Sequence, residues 1–275
     1  MDFGRIFNMQ GFDFNATPFW QMVPVGGDRY LAAGDATGMS FRSSNPAVVT
    51  VQEIGARELP DLGPRFPFLP GDRCIKLHGV AKGSAKVFAF NGSTLVGTLD
   101  VDTKNLKRVT ISFNFVEDDA DKKTTHVPAE APEWLAELNW IYQQCNVQFV
   151  CRQARWIHVD RDLGYVIKYI PEGTAKENEE WNAVVAKLDR TAEVNVFHFN
   201  DIRLGNAVND NAYGLTWKKC SMIDDDAPNY VATMAHEIGH TQGLDHFKGP
   251  RQELNVMGAA AGVGINKDQA KIMNP

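Results

Sequence analysis

Through the first hundred residues, apolar and polar positions alternate in short runs. Residues 29–33, 39–42, 48–51, 74–78, 85–90 and 94–99 each read as a strand. Turn signals separate them: Gly34-Asp35, Ser43-Ser44-Asn45-Pro46, Gly79, Gly83 and Asn91-Gly92. Short strands at this spacing predict an antiparallel β-sandwich over residues 1–104.

The pattern changes beyond Asn105. Residues 109–116 alternate as a strand, and the acidic run 117–121 after them lacks the spacing of a calcium loop and reads as a solvated turn. Pro132 opens a helix whose apolar positions, Trp134, Leu135, Leu138, Ile141, Tyr142 and Cys145, keep helical period. Strands are expected at 147–159 and 164–170. Thr174-Ala175-Lys176-Glu177 is a capping box and predicts a helix to Arg190, with Trp181, Val184, Val185 and Leu188 on one face. Residues 193–200 and 213–223 read as two further strands. Asp224-Asp225-Asp226-Ala227-Pro228 then reads as the start of a helix, the aspartates serving as caps. Asn266-Lys267-Asp268-Gln269 caps a short final helix. These elements predict a second, α+β domain over residues 105–275.

The helix after Pro228 carries His236-Glu237-Ile238-Gly239-His240-Thr241-Gln242-Gly243-Leu244-Asp245-His246. His236 and His240 are one turn apart on one helical face, so two imidazoles can share a metal ion. Gly243 can adopt the left-handed conformation that ends a helix, turning the chain and bringing His246 round as a third ligand. Three histidines leave one tetrahedral position open, the arrangement of a catalytic zinc. Glu237 lies beside them as a general base. A surface helix that merely carries histidines leaves Glu237, Gly243 and His246 unexplained. His78, His126, His158 and His198 are not needed as ligands, and His198 reads as a half-buried strand histidine.

This stretch resembles the metzincin signature, His-Glu-x-x-His-x-x-Gly-x-x-His followed by a Met-turn. The resemblance implies a zinc-dependent endopeptidase with His236, His240 and His246 as ligands and Glu237 as base. It implies a Met-turn at Leu254-Asn255-Val256-Met257-Gly258, with Met257 beneath the metal. It also implies that the strand Tyr213-Gly214-Leu215-Thr216-Trp217 is an edge that pairs with an extended peptide or protein substrate. Phe247 follows the third histidine, where astacins have Glu and adamalysins Asp, so no subfamily preference carries over. Residues 41–51 and 79–87 resemble bacterial Ig-like domains of group 2, with Phe41 at a position usually held by Trp and a Pro-rich insertion at 57–71. That resemblance implies a spacer or adhesion module. The alternative to a peptidase is a non-enzymatic adhesion or binding protein that uses the Ig-like domain beside a degenerate protease fold.

Composition narrows the setting. The formal net charge is -6, with 28 Lys and Arg against 34 Asp and Glu, which provides no basic field for nucleic acid. No apolar run is long enough to span a membrane. The first residues, Met1-Asp2-Phe3-Gly4-Arg5-Ile6-Phe7, lack the pattern of a secretory signal peptide. An active peptidase without a signal or latency segment is expected to act extracellularly or to be delivered into another cell by a non-classical route, as a toxin or effector; prior removal of a leader or propeptide accounts for the same pattern, and the sequence does not separate the two. Its partners would then include a secretion machine or an inhibitor or immunity protein. The four cysteines are too few for a disulfide scaffold, and free buried thiols are expected; Cys145–Cys151 and Cys151–Cys220 are the bridges open to a protein working outside the cytosol.

Overall fold

The computed structural model describes residues 12–13, 15–33, 38–55, 73–120, 123–163, 167–170, 173–204, 213–260 and 262–275. The amino-terminal stretch 1–7, the turn at Gly34-Asp35, the insertion at 57–71 and residues 164–166 lie outside the described residues. Contacts divide the chain into two compact units, neither of them one run of sequence. The first comprises Met1–Lys107, Tyr142–Gln148 and Gly264–Pro275; the second comprises Arg108–Ile141 and Phe149–Val263.

The first unit is β-rich. Strands β1 (Phe12–Asp13), β2 (Phe19–Pro24), β8 (Thr94–Lys104), β7 (Gly83–Asn91) and β4 (Met39–Ser43) form a five-stranded sheet in that order. Strands β3 (Asp28–Ala33), β6 (Arg73–Gly79) and β5 (Val49–Ile54) form a three-stranded sheet. One face of each contributes to a single core. Ala85, Val87 and Ala89 of β7 meet Leu99 and Val101 of β8, and Leu31, Val49, Ile75 and Leu77 of the smaller sheet. Alternate residues of β7 are more exposed, the period-2 signature of a strand with one buried face.

All six expected strands are present, and β1 and β2 join them. Trp20, Gln21, Met22 and Val23 of β2 are all buried, so no alternation betrays that strand. It pairs with β8 in parallel, which corrects the expectation of a wholly antiparallel sandwich. The Trp20 indole N–H donates to Asp102 at 2.8 Å, giving a buried polar atom its partner. Two segments distant in sequence complete this unit. The Asn274 side-chain amide donates to the carbonyls of Asn105, Cys145 and Asn146, and the Lys107 ammonium donates to the Met273 carbonyl. Helix α4 (Lys267–Met273) has the expected cap: Asn266 Oδ1 accepts from the Gln269 amide, and Gln269 Oε1 accepts from the Asn266 amide.

The second unit is built on a five-stranded sheet ordered β10 (Val147–Val159), β9 (Lys107–Asp118), β12 (Val194–Phe199), β15 (Cys220–Asp224) and β14 (Gly214–Trp217). Strand β12 runs parallel to both β9 and β15. Its six residues are all buried, as a central parallel strand requires. Phe197 and Phe199 face one side, in a core with Trp181, Val184, Ile202 and Met222. His198 faces the other, its ring 4.7 Å from Phe115 and 4.8 Å from Trp134. It is fully buried rather than half-buried, with its Nδ1 on the Tyr230 hydroxyl. Desolvation holds its pKa well below the usual histidine value.

Helix α1 (Ala131–Tyr142) turns Trp134, Leu138 and Ile141 inward, as its period predicts. Helix α2 (Glu179–Val185) is much shorter than the expected run from Thr174 to Arg190. The Thr174–Glu177 box does form, with the Thr174 amide donating to Glu177 at 2.7 Å, but it closes a turn ahead of the helix. The strand expected at 213–223 is instead a hairpin, β14 paired antiparallel with β15. Lys218 makes the turn at φ +56°, a conformation normally signalled by Gly or Asn. All four cysteines are free, and Cys74, Cys145 and Cys220 are buried. Among the described residues, no helix is long and apolar enough to cross a membrane.

Candidate metal centre

Helix α3 (Tyr230–Thr241) follows the hairpin. Its N-cap is Asn229, in the left-handed conformation and without a side-chain cap. Asp224 and Asp225, two of the three aspartates expected to cap it, are committed elsewhere, which corrects that reading for them. Asp224 accepts from the amides of Ile202 and Asp226, and Asp225 accepts from Thr124 and Thr125. They fasten loops to the helix entrance rather than satisfy its first amides.

The helix ends at Gly243, whose φ is +89°. The Gly243 amide donates to the His240 carbonyl and the Leu244 amide to the Gly239 carbonyl, both at 3.0 Å. This is the paired closure of a Schellman motif, with Leu244 buried behind it. A residue with a Cβ would be strained at that φ. The turn carries the chain back to His246.

The ring centroids of His236, His240 and His246 lie 4.9, 5.2 and 4.7 Å apart pairwise. One ligand atom from each falls within 4.8 Å of the others. Two rings are oriented from behind by main chain. His236 Nδ1 is 2.8 Å from the Val256 carbonyl, and His240 Nδ1 is 2.7 Å from the Leu244 carbonyl. A carbonyl only accepts, so each Nδ1 carries the proton and each Nε2 of the neutral ring presents a lone pair. His240 Nε2 and His246 Nε2 are 3.2 Å apart. Two nitrogens at 2.0–2.1 Å from one tetrahedral zinc would lie about 3.3 Å apart. The donor set therefore suits zinc in atom type, with the tautomer fixed for His236 and His240 and the His240–His246 spacing close to that of two zinc-bound nitrogens.

Burial suits the same role. It pushes the His236 pKa down to about 4 and lowers that of His240, so both rings are neutral near pH 7. Protons compete with metal for such ligands. A depressed pKa in the folded protein delays that competition as pH falls. Zinc occupancy against a fixed chelator is expected to fall as the pH drops below the usual histidine range, about pH 6.5, with burial of His236 and His240 delaying the loss. Full occupancy well below that range, by elemental analysis, would contradict the ligand set.

Met257 is fully buried, and its segment is tied to the site twice. The neighbouring Val256 carbonyl orients His236, and the Met257 carbonyl accepts from the Phe247 amide at 2.8 Å, just after His246. Asn255 shapes this turn: its side chain accepts from the Met257 amide, and its carbonyl from Gly258 and Gly262. A Cβ at Gly258 would collide with the Gln252 carbonyl.

Glu237 is buried, 7% exposed, and desolvation raises its pKa to about 7. The Thr216 hydroxyl lies 2.7 Å from its Oε2. Strand β14 is at the end of its sheet, next to α3 in the fold. Leu215 and Trp217 turn into the core, while Gly214 and Thr216 face Glu237. Tyr213, just before the strand, is 49% exposed. The Thr216 contact and the two orienting carbonyls escape sequence reading. Only the Asn two places before Met257 carries a local signal, that of an Asx turn.

A second group, Asp119, His158 and Asp160, also brings three possible ligand atoms together. All three are exposed, and Lys187 pairs with Asp160 at 3.2 Å. No family model matches the chain. No curated protein matches it significantly in sequence. Parts of it are similar to solved S-layer protein SbsC structures. Domains 5-6 match at 15% identity and TM-score 0.22, over 30% of this chain and 38% of that one. Domains 4 and 5 match at 16% and 0.22, over 30% and 45%. The structure of rSbsC(31-844) matches at 14% and 0.26, over 38% and 14%. The chain thus spans less than half the length of each of these proteins.

Proposed function

We propose that the chain is a zinc-dependent endopeptidase of the metzincin type, with an Ig-like β-sandwich as companion domain. The observation that carries this reading is the convergence of three histidines, one ligand atom from each within 4.8 Å of the others, beside a buried glutamate. His236, His240 and His246 would hold the ion. Zinc there supplies a Lewis acid that makes water nucleophilic near neutral pH.

The remaining chemistry belongs to the chain. Glu237 accepts a proton from the attacking water through its carboxylate, whose pKa near 7 suits a base that must also act as an acid. It returns the proton to the departing amine. Strand β14 ends its sheet among the described residues, where an extended peptide would pair through main-chain donors and acceptors, which favours polypeptide over other substrates. Tyr213, just before that strand, is exposed.

The test is N-terminal labelling of a protein extract exposed to the wild type or to Glu237→Gln. New amino termini are expected with the wild type alone. Identical terminal profiles in the two samples would remove the peptidase reading.

A further inference from the structure

Glu237 is held in a clamp that the three histidines do not supply. The Thr216 hydroxyl is 2.7 Å from Glu237 Oε2 and 2.8 Å from the main-chain carbonyl of the same residue. The hydroxyl has one proton, shared in a three-centre contact between these two oxygens of a single glutamate, which favours one side-chain rotamer. The carboxylate's other oxygen has no hydrogen bond among the described residues. It lies against Gly214, where an added Cβ would be 2.9 Å from Oε1 and 2.6 Å from Cγ. Strand alternation puts Gly214 and Thr216 on the same face of β14, one leaving room and the other providing the grip.

We propose that Thr216 is the positioning residue for Glu237, with Gly214 keeping Oε1 clear. The grip engages Oε2 and leaves Oε1 as the oxygen that meets the proton. Thr216 touches no reacting atom; it acts through where it holds the carboxylate. This inference rests on the peptidase reading for its chemistry, but the clamp itself is a statement about geometry. Because the bridge comes from the strand offered to substrate, a peptide paired along β14 would be registered against the base by the same strand.

The experiment compares Thr216→Val, which keeps shape and loses the hydroxyl, with Thr216→Ser, which keeps the hydroxyl. Crystal structures of the zinc-loaded proteins are expected to show Glu237 in one position in wild type and Thr216→Ser. In Thr216→Val it leaves that position or splits between rotamers, with zinc content unchanged. Steady-state kinetics on a quenched peptide should show kcat in Thr216→Val lowered by up to ~10²-fold at unchanged KM, with Thr216→Ser restoring most of it. An unmoved carboxylate in Thr216→Val overturns the proposal whether or not the protein cleaves peptides. So does a Thr216→Ser enzyme as slow as Thr216→Val. A wild type that cleaves nothing removes the peptidase reading alone, and the crystallographic comparison still decides the clamp.

Discussion

Glu237→Gln is expected to leave a folded protein with one zinc per chain and almost no peptidase activity. Glutamine is nearly isosteric, and its carboxamide oxygen can still accept from Thr216, so the site keeps its shape. It cannot take a proton. General-base removal costs about 10² to 10⁴ in rate. The upper end is expected here, because the same carboxylate also delivers the proton to the leaving amine. Burial has raised its pKa to about 7, which fits both halves of that duty. Turnover of a quenched peptide at equal zinc content measures the effect. A loss of less than about threefold, far short of that range, would show that Glu237 is not the base.

His240→Ala is expected to lose zinc and, with it, activity. His240 stands at the centre of the geometry: its Nε2 is 3.2 Å from that of His246, and its Nδ1 is fixed by Leu244. Changes in the groups behind a metal ligand cost about 10- to 100-fold in metal affinity, and removing the ligand itself should exceed that. The Schellman closure at Gly243 uses only main-chain atoms of His240, so the helix end survives the substitution. Dialysis against buffered zinc followed by elemental analysis reads the outcome. Full occupancy in the variant would refute the assignment of His240 as a ligand.

The local parts of this site are legible in the amino-acid order because their spacing is local. Helical period puts His236 and His240 together, and Gly243 announces the turn, since few other residues sit easily at φ +89°. Six strands of the sandwich show through their alternation. Strand β2 does not, because residues 20–23 are buried on both sides and lose the period. The hairpin between β14 and β15 is hidden for another reason. Its turn uses Lys218 in a conformation that its side chain does not advertise. Asp224 and Asp225 look like helix caps but bond to Ile202, Thr124 and Thr125, partners chosen by tertiary structure. Thr174–Glu177 shows that a capping box can form without a helix starting there. Thr216, 21 residues before Glu237, finds it only once the strand lies against the helix. The contacts of Asn274 with Asn105 and Cys145 are of the same long-range kind.

The central claim is that three histidines hold one catalytic zinc. It is tested most directly by stripping the purified protein of metal and adding zinc back in small steps while following cleavage of a quenched peptide. Activity should be absent at the start, rise in proportion to zinc, and break sharply at one ion per chain. Cleavage that persists in the stripped protein, or that shows no break at one equivalent, would contradict it.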